Sequence, residues 1–335
     1  MTELFEHGYA LLIGIGESAY PKWSLPVTVK DAQALHSILI DPNFCSYPND
    51  RQHIRLLHDR HSTKNNIFEG LAWLKNCAAE DPEATVIVYY SGHGWLDEDA
   101  GQYHLIQHDV EPFDIPNSAI VADFFATALR QIEAKRLLAI FDCCHAQGMA
   151  TAKENFSDIK LPPHFTQSPL PTTTIEQLKQ GEGRAVFASC RGTQKSWIRR
   201  DGMLSIYTYH LLQALQGAGN QLGDTQVLVS NLMNYLGQAV PASAKREYHT
   251  EQTPFFDLAA EDFPIALLCG GEGMSREERD SAKFGKTGTP AMTENAIAFG
   301  SNNTINQGSS NIHIGTARDI TLSSPPQPQP PNLNP

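Results

Sequence analysis

The sequence predicts an α/β domain whose mostly parallel sheet is covered by helices on both faces, followed by a flexible linker and a short tail segment of unusual composition. Apolar runs of strand length alternate with stretches of helical apolar spacing up to residue 270. The strand candidates are apolar throughout, which is typical of parallel strands that are buried on both faces. Beyond residue 270 the chain becomes polar, and it ends in a proline-rich stretch.

The apolar pattern places the elements in order along the chain. Strands are predicted at residues 9–15, 53–57, 85–90, 137–141 and 184–188. Helices are predicted at residues 29–40, 62–77, 117–131, 205–216 and 227–239. A single domain over residues 1–270 accounts for this order. The alternative, two domains divided near residue 180, would leave the strand at 184–188 without partners.

Composition and charge exclude several classes of protein. The 335 residues carry 37 acidic and 25 basic side chains, a net charge of −12, which argues against a nucleic-acid partner. No apolar run approaches the roughly 20 residues of a membrane span, and the N-terminus lacks the pattern of a secretory signal. Six cysteines without a Cys-x-x-Cys pair indicate reduced thiols, so we expect a cytoplasmic protein.

Two predicted strand ends carry side chains with catalytic chemistry. Residues 89–94 read Tyr-Tyr-Ser-Gly-His-Gly, which places His93 between two glycines and predicts an uncrowded ring. Residues 141–145 read Phe-Asp-Cys-Cys-His, which places a thiol directly after a buried strand. Because parallel strands end at one edge of a sheet, we expect the two runs to lie side by side. An imidazole beside a thiol activates it as a nucleophile, so the pair predicts a thiol hydrolase.

Two alternatives compete with this interpretation. A single histidine after a strand is more often structural than catalytic. A zinc site would need further ligands at close spacing, and His104, His108 and His145 form no recognisable pattern. The coincidence of both runs at strand ends favours the hydrolase.

Taken together, these motifs resemble the caspase-type cysteine peptidases, and the metacaspases and their prokaryotic relatives more than the animal caspases. The resemblance spans residues 8–268. Tyr-Ser-Gly-His-Gly and Asp-x-Cys-His carry it, and the 51-residue spacing between His93 and Cys144 belongs to it. Residues 10–14 fit the family's first strand, and residues 188–196 fit a later strand with its Gln-x-Ser loop. Residues 25–32 fall where the family has Leu-x-Gly-x-x-Asn-Asp-Ala, and they keep Leu25, Asp31 and Ala32.

The resemblance implies a role for each residue of the two runs. His93 is the general base and Cys144 the nucleophile, while Cys143 points into the core. The backbone N–H groups of Gly94 and Cys144 form the oxyanion hole. No cofactor or metal is expected, because residues 146–153 lack the acidic calcium ligands that several metacaspases carry after the nucleophile.

The resemblance also implies cleavage after Arg or Lys. Asp31 and Asp142, with Ser91 beside them, match the family's positions in the primary specificity pocket, where carboxylates bind a basic side chain. The residues themselves leave other roles open: a solvated carboxylate in a first helical turn for Asp31, and a turn or helix cap for Asp142. The family's acidic residues around the Gln-x-Ser loop are absent here.

The last 65 residues divide into three predicted segments. Residues 271–295 are predicted to form a linker and residues 317–335 a disordered, proline-rich tail. Residues 296–316 contain no Asp, Glu, Lys or Arg, and they predict either a flexible polar segment or a cross-β segment. Residues 311–315, Asn-Ile-His-Ile-Gly, resemble the RIP homotypic interaction motif, an amyloid signalling motif. That resemblance implies self-assembly and a nucleotide-binding receptor as partner.

The sequence therefore predicts a cysteine endopeptidase of the caspase/metacaspase type that acts on protein substrates and is activated by assembly through its tail. Regulated cell death or defence is the expected setting. The long connection at residues 147–183 is a hypothetical site of self-cleavage. The alternative is an inactive caspase-like adaptor, which the intact His93 and Cys144 disfavour.

Overall fold

The computed structural model describes residues 3–143, 161–258 and 261–269, together with the backbone of residues 145–146, 304–305 and 312–313. The chain divides into two units, Met1–Arg279 and Asp280–Pro335. Cys144, residues 147–160 of the predicted self-cleavage region and nearly all of the predicted tail segments lie outside the described residues. The domain boundaries drawn from the sequence stay predictions.

The first unit contains thirteen strands and seven α-helices in the described part of the chain. The strands are β1 (Gly8–Gly14), β2 (Ile54–His58), β3 (Thr85–Asp97), β4 (Gln102–Ile106), β5 (Ile120–Val121), β6 (Arg136–Cys143), β7 (His145–Ala146), β8 (Phe165–Gln167), β9 (Arg184–Ala188), β10 (Ser196–Trp197), β11 (Gln226–Leu228), β12 (Phe255–Leu258) and β13 (Pro264–Leu267). The helices are α1 (Val27–Ile40), α2 (Lys64–Glu80), α3 (Ile115–Ser118), α4 (Ala122–Arg130), α5 (Thr172–Leu178), α6 (Ile206–Gln213) and α7 (Val229–Tyr248).

The central sheet has the order β12-β9-β6-β3-β1-β2. The five strands from β9 to β2 are parallel, and β12 is antiparallel to β9. This confirms the predicted fold class. Because β9 pairs with β6, the strand at 184–188 belongs to the same sheet, and the alternative division near residue 180 is wrong.

Both faces of the sheet are covered. Leu11 and Ile13 of β1 join a core cluster with the apolar faces of α2 and α4. The alternate residues Ala10 and Leu12, which point to the opposite face, are equally buried. No helix within residues 3–143, 161–258 and 261–269 is long and apolar enough to cross a membrane.

The strands that carry the site are longer than predicted. β3 is parallel to β6 up to Gly92 and then pairs antiparallel with β4, from His93 opposite Ile106. The Tyr90 hydroxyl fixes this change of partner by donating to the carbonyls of His93 (2.9 Å) and Ile106 (3.0 Å). His93 therefore lies within a strand rather than after one. β6 likewise runs on to Cys143.

The helix predicted at residues 117–131 is interrupted, because residues 117–118 end α3 and residues 119–121 are not helical. Ile120 and Val121 form β5, which pairs antiparallel with β4, and α4 begins only at Ala122. Both residues are β-branched, so they suit a strand whenever a partner edge is available.

Two other helices and a connection also differ from the prediction. The helix at 205–216 is α-helical only to Gln213 and ends in a π-helical turn over Ala214–Ala218. The helix at 227–239 begins at Val229, because Val227 belongs to β11, and it runs nine residues further. The described part of the connection at 147–183 contains β8 and α5.

The second unit is described at two short strands. β14 (Thr304–Ile305) pairs antiparallel with β15 (Ile312–His313). Both strands fall within the uncharged segment 296–316.

Candidate active site

The pairing of β3 with β6 brings the two sequence runs together. Ser91 lies opposite Asp142 and Gly92 opposite Cys143 in this parallel ladder. His93 is the next residue of β3, and Cys144 follows Cys143 in the chain. Cys144 lies outside the described residues. The two strand ends therefore lie side by side.

His93 is buried, and its ring is oriented by a backbone carbonyl. Only 2% of the residue is exposed, so the prediction of an uncrowded ring is wrong. Its Nε2 lies 3.0 Å from the carbonyl oxygen of Trp23. Because a carbonyl only accepts, Nε2 carries the proton, and the basic nitrogen of the neutral ring is Nδ1.

Aromatic packing holds the Trp23 carbonyl in place. Trp23 ends a short 3₁₀ helix, Pro21–Trp23, between β1 and α1. Its indole packs edge-on against Trp95 at 4.6 Å, and Trp95 lies 5.9 Å from the His93 ring. The three rings form one buried cluster, so the acceptor and the imidazole are fixed by the same contacts.

Gly94, assigned to the oxyanion hole by resemblance, occupies a position that only glycine fits. A Cβ atom there would lie 1.9 Å from the hydroxyl oxygen of Tyr103. That hydroxyl donates to the carbonyl of Ser168 at 2.8 Å. The backbone at Gly94 is therefore held closely by packing, opposite Leu105 of β4.

The three residues assigned to the specificity pocket lie together. Asp31 on α1 and Asp142 on β6 are both fully buried, as is Ser91. The Ser91 hydroxyl donates to Asp31 Oδ2 at 3.3 Å. The alternative of a solvated Asp31 is therefore wrong. Asp142 lies inside a strand, so the alternative of a turn or helix cap is also wrong.

Four residues that the sequence did not assign to the site support Asp142. Hydroxyls of Ser196, Ser205 and Thr208 donate to its carboxylate at 2.7, 2.5 and 3.0 Å. Gln252, fully buried, donates to Ser196 Oγ at 3.2 Å. These residues lie more than 50 positions from Asp142. The sequence pointed to two of them only indirectly, to Ser196 through the Gln-x-Ser loop and to Ser205 as the start of a predicted helix.

The carboxylates influence two buried tyrosines beside them. Burial raises the pKa of Tyr89 well above its ordinary value, and the charges of Asp31 and Asp142 raise it further. Burial, followed by the charge of Asp142, raises the pKa of Tyr207 in the same way. Both phenols therefore stay neutral, and the Tyr89 hydroxyl lies 2.6 Å from Thr208 Oγ1.

The other cysteine and the histidines considered in the sequence analysis lie at separate places in the fold. Cys143 is 3% exposed and belongs to the core cluster, as predicted. His104 lies on β4, opposite Trp95. His108 Nδ1 instead contacts the carbonyl of Glu17 at 2.7 Å. Among the described side chains, no three His, Cys, Asp or Glu cluster as metal ligands.

Known proteins resemble this chain in family and in fold. A family profile described as Caspase domain matches residues 7–260. Similar solved structures include protein GSU0716 from Geobacter sulfurreducens, with 15% identity, 80% of this chain and 99% of that chain covered, and a TM-score of 0.49. Caspase-1 from Spodoptera frugiperda has 15% identity, 81% and 94% coverage, and a TM-score of 0.46. No curated protein matches significantly. Because the profile spans most of its length, the chain belongs to the caspase domain family of cysteine peptidases.

Proposed function

We propose that this protein is an active cysteine endopeptidase that cleaves after Arg or Lys, with Cys144 as nucleophile and His93 as general base. The bond from His93 Nε2 to the Trp23 carbonyl, at 3.0 Å, carries the proposal. It leaves Nδ1 as the basic nitrogen on a strand whose partner leads directly into Cys144.

The proposed reaction follows from this tautomer. His93 Nδ1 takes the thiol proton of Cys144, and the thiolate attacks the carbonyl carbon of the scissile peptide. The N–H groups of Gly94 and Cys144 stabilise the oxyanion. The imidazolium, whose Nε2–H is bonded to the Trp23 carbonyl, gives its Nδ1 proton to the departing amine. Water then hydrolyses the thioester and frees Cys144.

The preference for a basic residue rests on Asp31 and Asp142. Ser91, the partner of Asp142 across the ladder, donates to Asp31, so both carboxylates lie beside the strand ends that carry the dyad. Two carboxylates at one position favour a guanidinium or ammonium group over a neutral or acidic side chain.

Assembly through residues 296–316 brings copies of the peptidase together and activates them, and a nucleotide-binding receptor with a matching segment starts the process in cell death or defence. The segment's lack of charged residues and its content of Asn, Gly and Ile support this step. The antiparallel pair of β14 and β15 is compatible with it.

Peptide hydrolysis tests the enzymatic proposal, and the adjacent cysteine provides a matched control. We expect full-length protein fused to an inducible dimeriser to cleave Arg- and Lys-ending fluorogenic peptides, and not Asp-ending ones. Cys144→Ala should lower kcat/KM by at least about 10³-fold, because the nucleophile is lost. Cys143→Ala should retain most of the activity. Equal activity of wild type and Cys144→Ala, or no turnover of any peptide after dimerisation, would contradict the proposal.

Two deletions test the assembly step. Removal of residues 296–316 from the full chain should abolish fibres that bind amyloid dyes, whereas removal of residues 317–335 should leave them intact. Electron microscopy and dye fluorescence measure the outcome. If both deletion variants assemble like the wild type, activation through this segment is wrong.

A further inference from the structure

One residue at the start of α6 holds both carboxylates of the proposed specificity pocket. The backbone N–H of Ser205 donates to Asp31 Oδ1 at 3.0 Å, and its hydroxyl donates to Asp142 Oδ2 at 2.5 Å. Asp31 lies on α1 and Asp142 on β6, so no local geometry fixes their separation. Ser205 joins them through two bonds.

Ser205 is itself fixed by the helix that it caps. Its Oγ accepts from the backbone N–H of Thr208 at 2.8 Å, which satisfies one of the helix's unpaired donors. The Thr208 hydroxyl then donates to Asp142 Oδ2 at 3.0 Å. The positive end of the α6 dipole therefore faces the Asp142 carboxylate.

The donors from Ser91, Ser196, Ser205 and Thr208 to the two carboxylates are all neutral. Neutral donors orient a carboxylate and favour its ionised form without cancelling its charge. These donors therefore hold the two carboxylates in defined orientations.

We infer that Ser205 is a positioning residue that sets the two carboxylates in register for a guanidinium group, and so determines the preference for Arg over Lys. The inference rests on the proposed function and deepens it. A guanidinium presents five donors in a rigid fork, so it gains from two carboxylates at a fixed separation, whereas an ammonium group behaves as a compact charge. Loosening the pair should weaken binding of Arg more than binding of Lys.

Thr63, the N-cap of α2, provides a matched control. Its side chain accepts from the backbone N–H of Asn66 at 3.2 Å, as Ser205 does from Thr208. Loss of either cap destabilises a helix by a similar amount. Ser205, unlike Thr63, contacts both Asp31 and Asp142, so of the two caps only Ser205 should change substrate selection when it is lost.

The test measures kcat and KM for Arg- and Lys-ending peptides with dimerised full-length protein, alongside melting temperatures. Ser205→Ala should raise KM for the Arg peptide about tenfold, because a bond to a buried charge is lost. It should leave kcat nearly unchanged. It should also lower the ratio of kcat/KM for the Arg peptide to kcat/KM for the Lys peptide, the Arg/Lys ratio. Ser205→Thr, which keeps the hydroxyl, should restore both values. Thr63→Ala, which loses only a helix cap, should lower the melting temperature without changing KM.

Ser205→Gly covers the case in which the alanine variant does not fold, because glycine caps a helix with little loss of stability while lacking the hydroxyl. Wild type that cleaves Arg peptides, together with an unchanged KM and Arg/Lys ratio in Ser205→Ala or Ser205→Gly, would overturn this inference. The proposed function would then still stand. Wild type that cleaves no basic peptide would overturn the proposed function, and this inference with it.

Discussion

Two buried histidines, His93 at the carboxyl edge of the sheet and His210 between α6 and α7, have opposite tautomers. His93 is 2% exposed and His210 is 3% exposed. Nε2 of His93 donates to a backbone carbonyl at 3.0 Å. Nδ1 of His210 donates to Gln213 Oε1 at 2.7 Å, and its Nε2 accepts from the Ser243 hydroxyl at 2.7 Å. The basic nitrogen is therefore Nδ1 in His93 and Nε2 in His210.

The contacts of Ser243 explain why a short distance between a histidine and a hydroxyl does not identify a catalytic pair. Ser243 is 2% exposed on α7, and its Oγ accepts from Arg246 Nη2 at 2.9 Å. A cationic donor on the oxygen lowers its nucleophilicity. His93, in contrast, lies on a strand whose neighbour leads into Cys144. The position in the fold, more than the length of the bond, separates a catalytic imidazole from a structural one.

The sharpest test of this comparison replaces each histidine in turn. We expect His93→Ala to lower kcat/KM for an Arg peptide by about 10³-fold, because the general base is lost. His210→Gln should leave kcat/KM close to the wild-type value, since glutamine keeps a neutral polar group between Gln213 and Ser243. Circular dichroism checks that both variants fold. An equal loss of activity in the two variants would contradict the distinction.

The strands around His93 illustrate what the sequence could predict about the fold. Residues 85–90, 137–141 and 184–188 are apolar throughout, so buried parallel strands were predicted there and are present. The continuation of β3 past Tyr90 was not predicted. Ser-Gly-His-Gly has little strand propensity, and the antiparallel partner β4 provides the pairing instead. Long-range pairing overrode the local pattern.

The site was predictable only where chemistry coincides with strand ends. His93, Asp142 and Cys143 could be placed together because adjacent parallel strands end at one edge. The acceptor for His93 is a backbone carbonyl, at Trp23, and any residue type provides one. Ser205 was predicted only as the start of a helix, since nothing local indicates that it bonds to two distant carboxylates.

The second prediction concerns how the stability of the protein depends on pH through His210. Burial, aided by the charges of Arg246 and Arg199, lowers the pKa of His210 from 6.5 to about 4. The unfolded chain therefore binds this proton first as pH falls. The contribution of neutral His210 to the free energy of unfolding is fully present above pH 6.5, declines as pH falls to 4, and is lost below pH 4. The total change is about 3 kcal/mol.

Urea denaturation of wild type and His210→Gln at pH 7.5 and pH 4 measures this contribution. Other titrating groups are common to both proteins, so the difference between their pH dependences isolates His210. We expect wild type to lose more free energy of unfolding than the variant does. Parallel pH dependences would show that His210 is not held neutral by the network.

The smallest expected effect comes from two tyrosine hydroxyls, one beside each histidine. Tyr235 donates to Gln213 Oε1 at 2.9 Å, whereas Tyr90 donates to the carbonyls of His93 and Ile106. Replacing either tyrosine with phenylalanine removes one hydroxyl and should lower the free energy of unfolding by about 1 kcal/mol. Only Tyr90→Phe should also lower kcat/KM, because that hydroxyl fixes the backbone from which the His93 ring extends. Urea denaturation measures the free energy of unfolding of both variants, and peptide hydrolysis measures their kcat/KM. A loss of activity in Tyr235→Phe equal to that in Tyr90→Phe would mean that the two histidine environments are coupled rather than separate.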